Sequence, residues 1–221
     1  HIRGAGTNEI RVQGVDSLKS MNVHTIIPDR IEAGTYLSFA AANGNGVLVK
    51  NVITEHLDPF LSKLEEMGVR MEIDEDELYV PGGDVLSPVN IKTSPFPGFA
   101  TDLQQPITPL LMQARGSSTI IDTLYPERTK HIPEMQRMGA KISRKDGIIT
   151  VGHSTDLSGT VVEAGEIRAG VSLVGLALMA KGTTVINKAD NILRGYDRIV
   201  EKFRGLSVDL EVINESESLN H

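Results

Sequence analysis

Gly116-Ser-Ser-Thr-Ile-Ile121, followed by Ile132-Pro-Glu-Met-Gln-Arg-Met138-Gly139, sets a pattern: a glycine that closes an apolar helix, a β-branched run, a second helix and another glycine. The same order stands in Gly46-Val-Leu-Val-Lys50 ahead of Leu57-Asp-Pro-Phe-Leu-Ser-Lys-Leu-Glu-Glu-Met67-Gly68. It stands a third time in Gly182-Thr-Thr-Val-Ile186 ahead of Tyr196-Asp-Arg-Ile-Val-Glu-Lys-Phe-Arg-Gly-Leu206. The spacings are 70 residues (46 to 116) and 66 residues (116 to 182), beyond the roughly 20–50 residues of ordinary solenoid repeats. A unit of this kind cannot bury its apolar face alone, so three larger α+β units packed into one globule are expected.

Each unit opens on a helix that is apolar nearly all round: Ile31 to Ala42, Ile107 to Ala114, and Ala169 to Ala180. A helix without a polar face is a buried one, so these three are expected to pack together inside. The second helices carry a stripe instead. Leu57, Phe60, Leu61, Leu64 and Met67 recur at helical spacing with Ser62, Lys63, Glu65 and Glu66 between them, which places those helices half in water. Short strands are expected at 47–49, 71–73, 78–80, 89–92, 119–121, 148–151, 160–162, 184–186 and 208–212, with hairpin turns at Asp74-Glu-Asp76 and Asp146-Gly147. Each unit then reads strand, helix, strand, helix, strand, strand.

Composition narrows the function classes. The 221 residues carry a formal charge of −7 and no cysteine. The acidic balance gives no electrostatic footprint for nucleic acid, and an anionic ligand must be held by particular arginines. Disulfides, thiolate zinc sites and a thiol nucleophile are excluded within this chain. The longest strongly apolar stretch, 169–180, is too short to span a bilayer. A cytoplasmic protein without a membrane segment is the expectation. The histidines at 24, 56, 131 and 153 lack metal-ligand spacing and read as surface or helix-start residues, and neither a metal nor a cofactor is expected.

Thr93-Ser-Pro95-Phe-Pro97-Gly-Phe-Ala-Thr101-Asp102-Leu-Gln104 is the densest irregular segment. Its prolines and glycine build a turn into a helix start, where Thr101 and Gln104 fit a capping box. Asp102 there either complements the helix dipole, worth about 0.3–1 kcal/mol, or is fixed to take a proton from a substrate hydroxyl. Arg194-Gly195 stands just ahead of the third unit's second helix, where free backbone N–H groups and a guanidinium suit a phosphate or carboxylate, unless the arginine is simply solvated. Arg168 heads a wholly apolar helix and must find a partner or line a cleft. Arg128 follows Leu124-Tyr-Pro-Glu, and Arg30 sits between Asp29 and Glu32, as suited to a structural ion pair as to a ligand.

Together, Ile27-Pro28-Asp29-Arg30-Ile31-Glu32-Ala33-Gly34-Thr35, the segment 95–104, Glu134-Met-Gln-Arg-Met138-Gly139-Ala140 and Arg194-Gly-Tyr196 resemble the UDP-N-acetylglucosamine 1-carboxyvinyltransferase family, in the right order from about Ile2 to Asn214. The resemblance implies an enolpyruvyl-transferase-like α+β lobe, three βαβαββ repeats around buried helices in an inside-out barrel. It further implies that the chain is about the second half of such a protein: 1–24 as the end of the other lobe and a linker, 25–214 as a three-repeat lobe, and 215–221 as a polar tail. The implied reaction adds a hydroxyl of UDP-N-acetylglucosamine to phosphoenolpyruvate and expels phosphate, opening peptidoglycan synthesis. Carried over by motif, Asp102 is the carboxylate on the sugar and the candidate base. Arg168 and Arg194 face phosphoenolpyruvate and the interlobe cleft, Arg194 counted with Asp102 as catalytic. Arg128 is a further cleft arginine, and Leu124 touches the UDP-sugar. The family's lysine-asparagine pair and its loop bearing the acid cysteine belong to the absent half, so the lobe alone is expected to be inactive.

The chain departs from the family pattern at Phe96, Ala100, Pro126-Glu127, Leu193 and Ser207, where histidine, proline, glutamate-asparagine, aspartate and glycine are usual. Pro106 and Pro109 interrupt the helix after Asp102. Two other readings therefore stand beside the first: a non-catalytic UDP-sugar-binding or regulatory paralogue, and a shikimate-pathway enolpyruvyl transferase.

Overall fold

A computed structural model describes residues 1–7, 9–19 and 23–213. A small antiparallel hairpin comes first, β1 (Ile2–Arg3) and β2 (Arg11–Val12). Its apolar side chains, Ile2, Ile10 and Val12, are exposed. The first unit is α1 (Arg30–Asn43), β3 (Val47–Lys50), α2 (Asp58–Met67), β4 (Glu72–Asp74) and β5 (Glu77–Val80). The second is β6 (Asn90–Lys92), α3 (Thr108–Leu111), β7 (Ser117–Ile121), α4 (His131–Arg137), β8 (Ile142–Lys145) and β9 (Ile148–Gly152). The third is β10 (Val161–Glu163), α5 (Ile167–Ala177), β11 (Val185–Asn187), α6 (Asp190–Leu193) and α7 (Ile199–Gly205).

The second unit shows the βαβαββ order in full. Its sheet runs β6-β7-β9-β8, with β6 and β7 parallel and the rest antiparallel. Parallel neighbours need a crossover, and the segment holding α3 supplies it. The first unit keeps the antiparallel sheet β3-β5-β4, and the third keeps the parallel pair β10-β11, again bridged by a helix, α5. Both expected hairpins form. Their tips place Glu75, Asp146 and Gly147 in left-handed backbone, the conformation that tight two-residue hairpins demand.

The three apolar helices meet as expected, α1 packing on α3 and α3 on α5. Asp29 starts α1 by accepting from the N–H groups of Ile31 (2.7 Å) and Glu32 (3.3 Å), and Gly44 ends it in the left-handed region. The middle helix is much shorter than the expected 107–114. Pro106 and Pro109 lack the N–H groups that a continuous helix from Asp102 needs, so a 3₁₀ turn at Thr101–Leu103 is followed by the four residues of α3. Leu37, Leu64, Leu103, Leu110, Leu173 and Leu176 fill the main core. A second core of Phe39, Val171, Val174, Tyr196, Ile199 and Phe203 joins α1, α5 and α7.

Three further expectations change. The helix read from Tyr196 starts at Ile199, after Arg198 turns the chain through left-handed backbone, and Tyr196 is a core residue. No strand forms at 208–212, a segment that makes no sheet pairing among the described residues. His131, read as a surface or helix-start residue, does begin α4, but it is fully buried against the apolar interior.

Candidate active site

The parallel strands end side by side, and the chain segments beyond their carboxyl ends carry the candidate residues. This is the edge of an α/β layer where ligands bind, because loops converge there and helices begin. Lys92 of β6 pairs with Ile121 of β7, so Thr93 and Asp122 emerge together. Asp102 follows β6, Leu124 and Arg128 follow β7, Arg168 follows β10, and Arg194 follows β11.

Asp102 sits in the 3₁₀ turn between two guanidinium groups. Arg128 Nη1 donates to its Oδ1, and Arg168 Nη2 lies 3.4 Å from its Oδ2. The side chains of Asp102, Arg128 and Arg168 are 36%, 26% and 18% exposed, so the group is neither sealed in the core nor freely solvated. Two positive charges face one carboxylate, which leaves a surplus cation for an anionic ligand.

Each arginine is oriented by an aromatic ring. The Arg128 guanidinium lies 4.5 Å from the centre of the Tyr125 ring, and its Nη1 also approaches Thr101 Oγ1 at 3.4 Å. Arg168 Nη1 donates to the Tyr196 hydroxyl at 3.1 Å, which in turn lies 3.0 Å from Thr35 Oγ1 on α1. Burial pushes the Tyr196 phenol up from its ordinary pKa, while the Arg168 charge, the hydrogen bond shared with Thr35 and the one from Arg168 pull against it. The hydroxyl therefore stays protonated beside its arginine.

The expected capping box does not form. Thr101 Oγ1 donates to Asp122 Oδ2 at 2.6 Å, and Gln104 is wholly buried with neither amide atom hydrogen-bonded. A cap needs the threonine oxygen as acceptor toward the turn's own N–H groups, and here a carboxylate from another loop has claimed the hydroxyl. Asp122 itself accepts from Thr93 Oγ1 (2.8 Å), Leu124 N (3.0 Å) and Tyr125 N (2.9 Å). Burial disfavours its charge, yet the hydrogen bonds from Thr101, the Tyr125 N–H, Thr93 and the Leu124 N–H outweigh that and hold its pKa below the usual carboxylate value. Leu124 is thereby tied to the Asp102 turn, with its side chain exposed.

Arg194 stands apart from this cluster. Its Nη2 donates to Asn191 Oδ1 at 2.9 Å and the side chain is exposed. The N–H groups of Arg194, Gly195 and Tyr196 all donate to carbonyls of α6, and the helix expected to follow directly starts only at Ile199. Any anion at this corner meets the guanidinium, not a helix start. Arg30 pairs with neither acidic neighbour: Asp29 caps α1, Glu32 pairs with Lys202 at 2.5 Å, and the Arg30 guanidinium rests 5.4 Å from the Phe96 ring centre. Asp122, Thr35 and Tyr196 are the members that sequence reasoning left without a role. Among the described residues, no group of three or more His, Asp or Glu side chains is placed to hold a metal ion, and no helix is long and apolar enough to cross a membrane.

Residues 1–203 match the model of the EPSP synthase (3-phosphoshikimate 1-carboxyvinyltransferase) family. The chain belongs to that family. Within it, the chain is 56% identical over 216 residues to UDP-N-acetylglucosamine 1-carboxyvinyltransferase 2 of Lactiplantibacillus plantarum, covering 98% of this chain and 51% of that protein. It is 58% identical over 213 residues to the UDP-N-acetylglucosamine 1-carboxyvinyltransferase of Lactobacillus acidophilus, covering 96% and 49%. This family member thus spans about half the length of the curated relatives it matches. Among solved structures, the enolpyruvyl transferase NikO of Streptomyces tendae superposes with a TM-score of 0.78 at 26% identity, over 84% of this chain and 44% of that one. EPSP synthase of Acinetobacter baumannii shares the fold at a TM-score of 0.66 and 15% identity, over 86% and 45%.

Proposed function

We propose that the whole protein transfers the enolpyruvyl group of phosphoenolpyruvate to UDP-N-acetylglucosamine with release of phosphate. That is the first committed step of peptidoglycan synthesis, a cytoplasmic reaction on which cell-wall growth, shape and division depend. The observation that carries the reading is a carboxylate, Asp102, held between the guanidinium groups of Arg128 and Arg168 at the carboxyl ends of parallel strands. High identity to relatives bearing that enzyme name supports the choice of sugar nucleotide over a shikimate-type alcohol.

The chemistry assigns each group a task. The sugar hydroxyl adds to C2 of phosphoenolpyruvate while C3 gains a proton; loss of a C3 proton and of phosphate then restores the double bond. Asp102 accepts the hydroxyl proton, and arginines hold the phosphate and carboxylate charges. Arg128 and Arg168 exchange part of their contact with Asp102 for the incoming anion, and Arg194 extends the cationic edge. Leu124 provides an apolar contact for the nucleotide sugar. The donor of the C3 proton, with the lysine-asparagine pair, comes from the half of the protein outside this chain.

The test is phosphate release from phosphoenolpyruvate by the protein joined to its other half, with UDP-N-acetylglucosamine, with shikimate 3-phosphate and with neither. Release only with the sugar nucleotide is expected, and none from the 221-residue chain alone. Release with shikimate 3-phosphate would replace the substrate, and binding without release in any mixture would replace transfer by a binding role.

A further inference from the structure

Asp122 is the only carboxylate among the described residues whose two oxygens receive four hydrogen bonds, and they come from three separate pieces of chain. Thr93 lies at the end of β6, Thr101 begins the 3₁₀ turn that holds Asp102, and the N–H groups of Leu124 and Tyr125 belong to the loop that leads to Arg128. Oδ1 takes Thr93, Leu124 and Tyr125; Oδ2 takes Thr101 alone. Thr93 is itself pinned, since its Oγ1 accepts from Thr123 N at 3.0 Å and its carbonyl accepts from Thr123 Oγ1 at 2.7 Å.

We propose that Asp122 is a positioning residue for the transfer reaction: it fixes the Asp102 turn through Thr101 and the Arg128 loop through Leu124 and Tyr125, so that base and cation meet in one geometry. The argument is one of connectivity. Asp102 and Arg128 lie 26 residues apart and on different loops, and nothing in either loop alone sets their separation. Asp122 reaches both loops with one rigid carboxylate. One residue before Asp102 it grips Thr101, and three residues before Arg128 it grips Tyr125, whose ring carries the Arg128 guanidinium. At 6% exposure the clamp is shielded from water, so its bonds are not readily replaced by solvent. Its depressed pKa keeps the carboxylate charged and able to accept from every one of these donors.

The proposal rests on the enolpyruvyl-transfer reading for its activity arm only. In the protein joined to its other half, Asp122→Asn offers a single acceptor oxygen and cannot serve both sets of donors, while Thr101→Val severs the arm to the Asp102 turn, together with the 3.4 Å contact of Arg128 Nη1, and leaves the Leu124 and Tyr125 arm in place. Each is expected to lower kcat about ten- to a hundredfold, the usual effect of displacing a catalytic group by about 1 Å, with a smaller change in KM. Asp122→Glu is expected to recover part of that loss. Combined with Asp102→Asn, each variant is expected to cost clearly less than it does alone, because the part of its effect that acts through Asp102 is already lost. A structural role alone would give additive losses, and additive losses overturn the proposal. Thr101→Val also guards against a folding defect, since Asp122 and its other three donors remain intact.

A second readout is independent of the reaction. The carboxyl carbon resonance of Asp102 is followed by NMR in wild type and both variants. A shift in the variants, with the melting temperature held within a few degrees for Thr101→Val, is expected as Arg128 moves off. An unchanged resonance overturns the positioning role even if the protein transfers no enolpyruvyl group, whereas an inactive wild type with a shifted resonance overturns only the reaction.

Discussion

Arg168 donates to the hydroxyl of Tyr196 at 3.1 Å, and that contact joins the candidate site to the second core. Arg168 is the second residue of α5, a helix whose remaining side chains are almost wholly apolar, so its guanidinium cannot be solvated by its own helix. Tyr196 supplies the neutral acceptor and Asp102 the charged one. The tyrosine oxygen is also 3.0 Å from Thr35, whose Oγ1 already donates to Ile31 O at 2.8 Å. One polar chain therefore links two helices and the segment ahead of a third: Thr35 on α1, Arg168 on α5, Tyr196 before α7.

Tyr196→Phe keeps the ring in the core and deletes the oxygen. Thr35 retains its carbonyl partner, and Arg168 loses one of its two acceptors. The expected cost is about 0.5–1.5 kcal/mol, the net worth of one such hydrogen bond, read as a lower urea midpoint with unchanged m-value. An unchanged midpoint would show that water replaces the phenol and that the chain of contacts carries no stability. A loss of several kcal/mol would point to ring packing instead.

Asp102→Asn preserves shape and removes the charge between Arg128 and Arg168. With Asp102 as base, kcat for phosphate release by the protein joined to its other half is expected to fall about 10²–10⁴-fold. KM for phosphoenolpyruvate is not expected to rise, since two guanidinium groups are freed for the anion. Steady-state kinetics at saturating sugar nucleotide checks both, and wild-type turnover in the variant would remove Asp102 from the role of base.

Periodicity and glycine placement made most of the fold legible. The first helix read as 31–42 forms as 30–43, closed by Gly44, because apolar spacing and a left-handed cap are both local signals. The middle helix is shorter than expected because the largely apolar run 107–114 masks the cost of Pro109. The segment 208–212 alternates as a strand does, and alternation does not supply a neighbour to pair with. At the candidate site, motif resemblance singled out Asp102, Arg128 and Arg168, which the structure brings together, and Arg194, which it leaves apart. Asp122 carries no mark in the sequence because the two partners on the other segments lie 29 and 21 residues away, and its local bonds to Leu124 and Tyr125 do not by themselves reveal a carboxylate that bridges two loops. Thr101 was misread for the same reason: its sequence context fits a cap, and a distant acceptor took the hydroxyl.

Gly175 on α5 is where close helix packing can be tested. A Cβ there would lie 2.2 Å from Phe39 Cε1 and 2.8 Å from Cδ1 and Cζ. Helix propensity favours alanine over glycine by about 1 kcal/mol, but Phe39 is buried and backed by Phe203 at 6.4 Å between ring centres, so its ring has little room to retreat. Overpacking of this kind costs about 1–3 kcal/mol, and Gly175→Ala is expected to be net destabilising in urea. Adding Phe39→Leu removes the clashing ring atoms, so the two changes together are expected to cost less than their sum. Strict additivity, or a stabilised Gly175→Ala, would mean the helices are not packed through this pair.

His131 gives the acid limb of stability. Its ring is fully buried, neither nitrogen has a hydrogen-bond partner, and desolvation lowers its pKa from 6.5 to about 3. The folded protein therefore holds the neutral imidazole, while the unfolded chain takes up a proton below about pH 6.5. Unfolded chains bind more protons across that window, so stability falls as pH drops from 6.5 toward 3, by up to about 1.4 kcal/mol per pH unit. The contribution is fully present above pH 6.5. Asp122, whose folded pKa lies below 3.8, adds its own loss only at the acid end of the window. Urea midpoints at pH 7, 6, 5 and 4.5 are expected to decline in wild type and to decline less in His131→Leu, which keeps the side chain apolar and cannot titrate. Parallel curves for the two proteins would mean that His131 is protonated in the folded state, through a partner or a water path that reaches its ring.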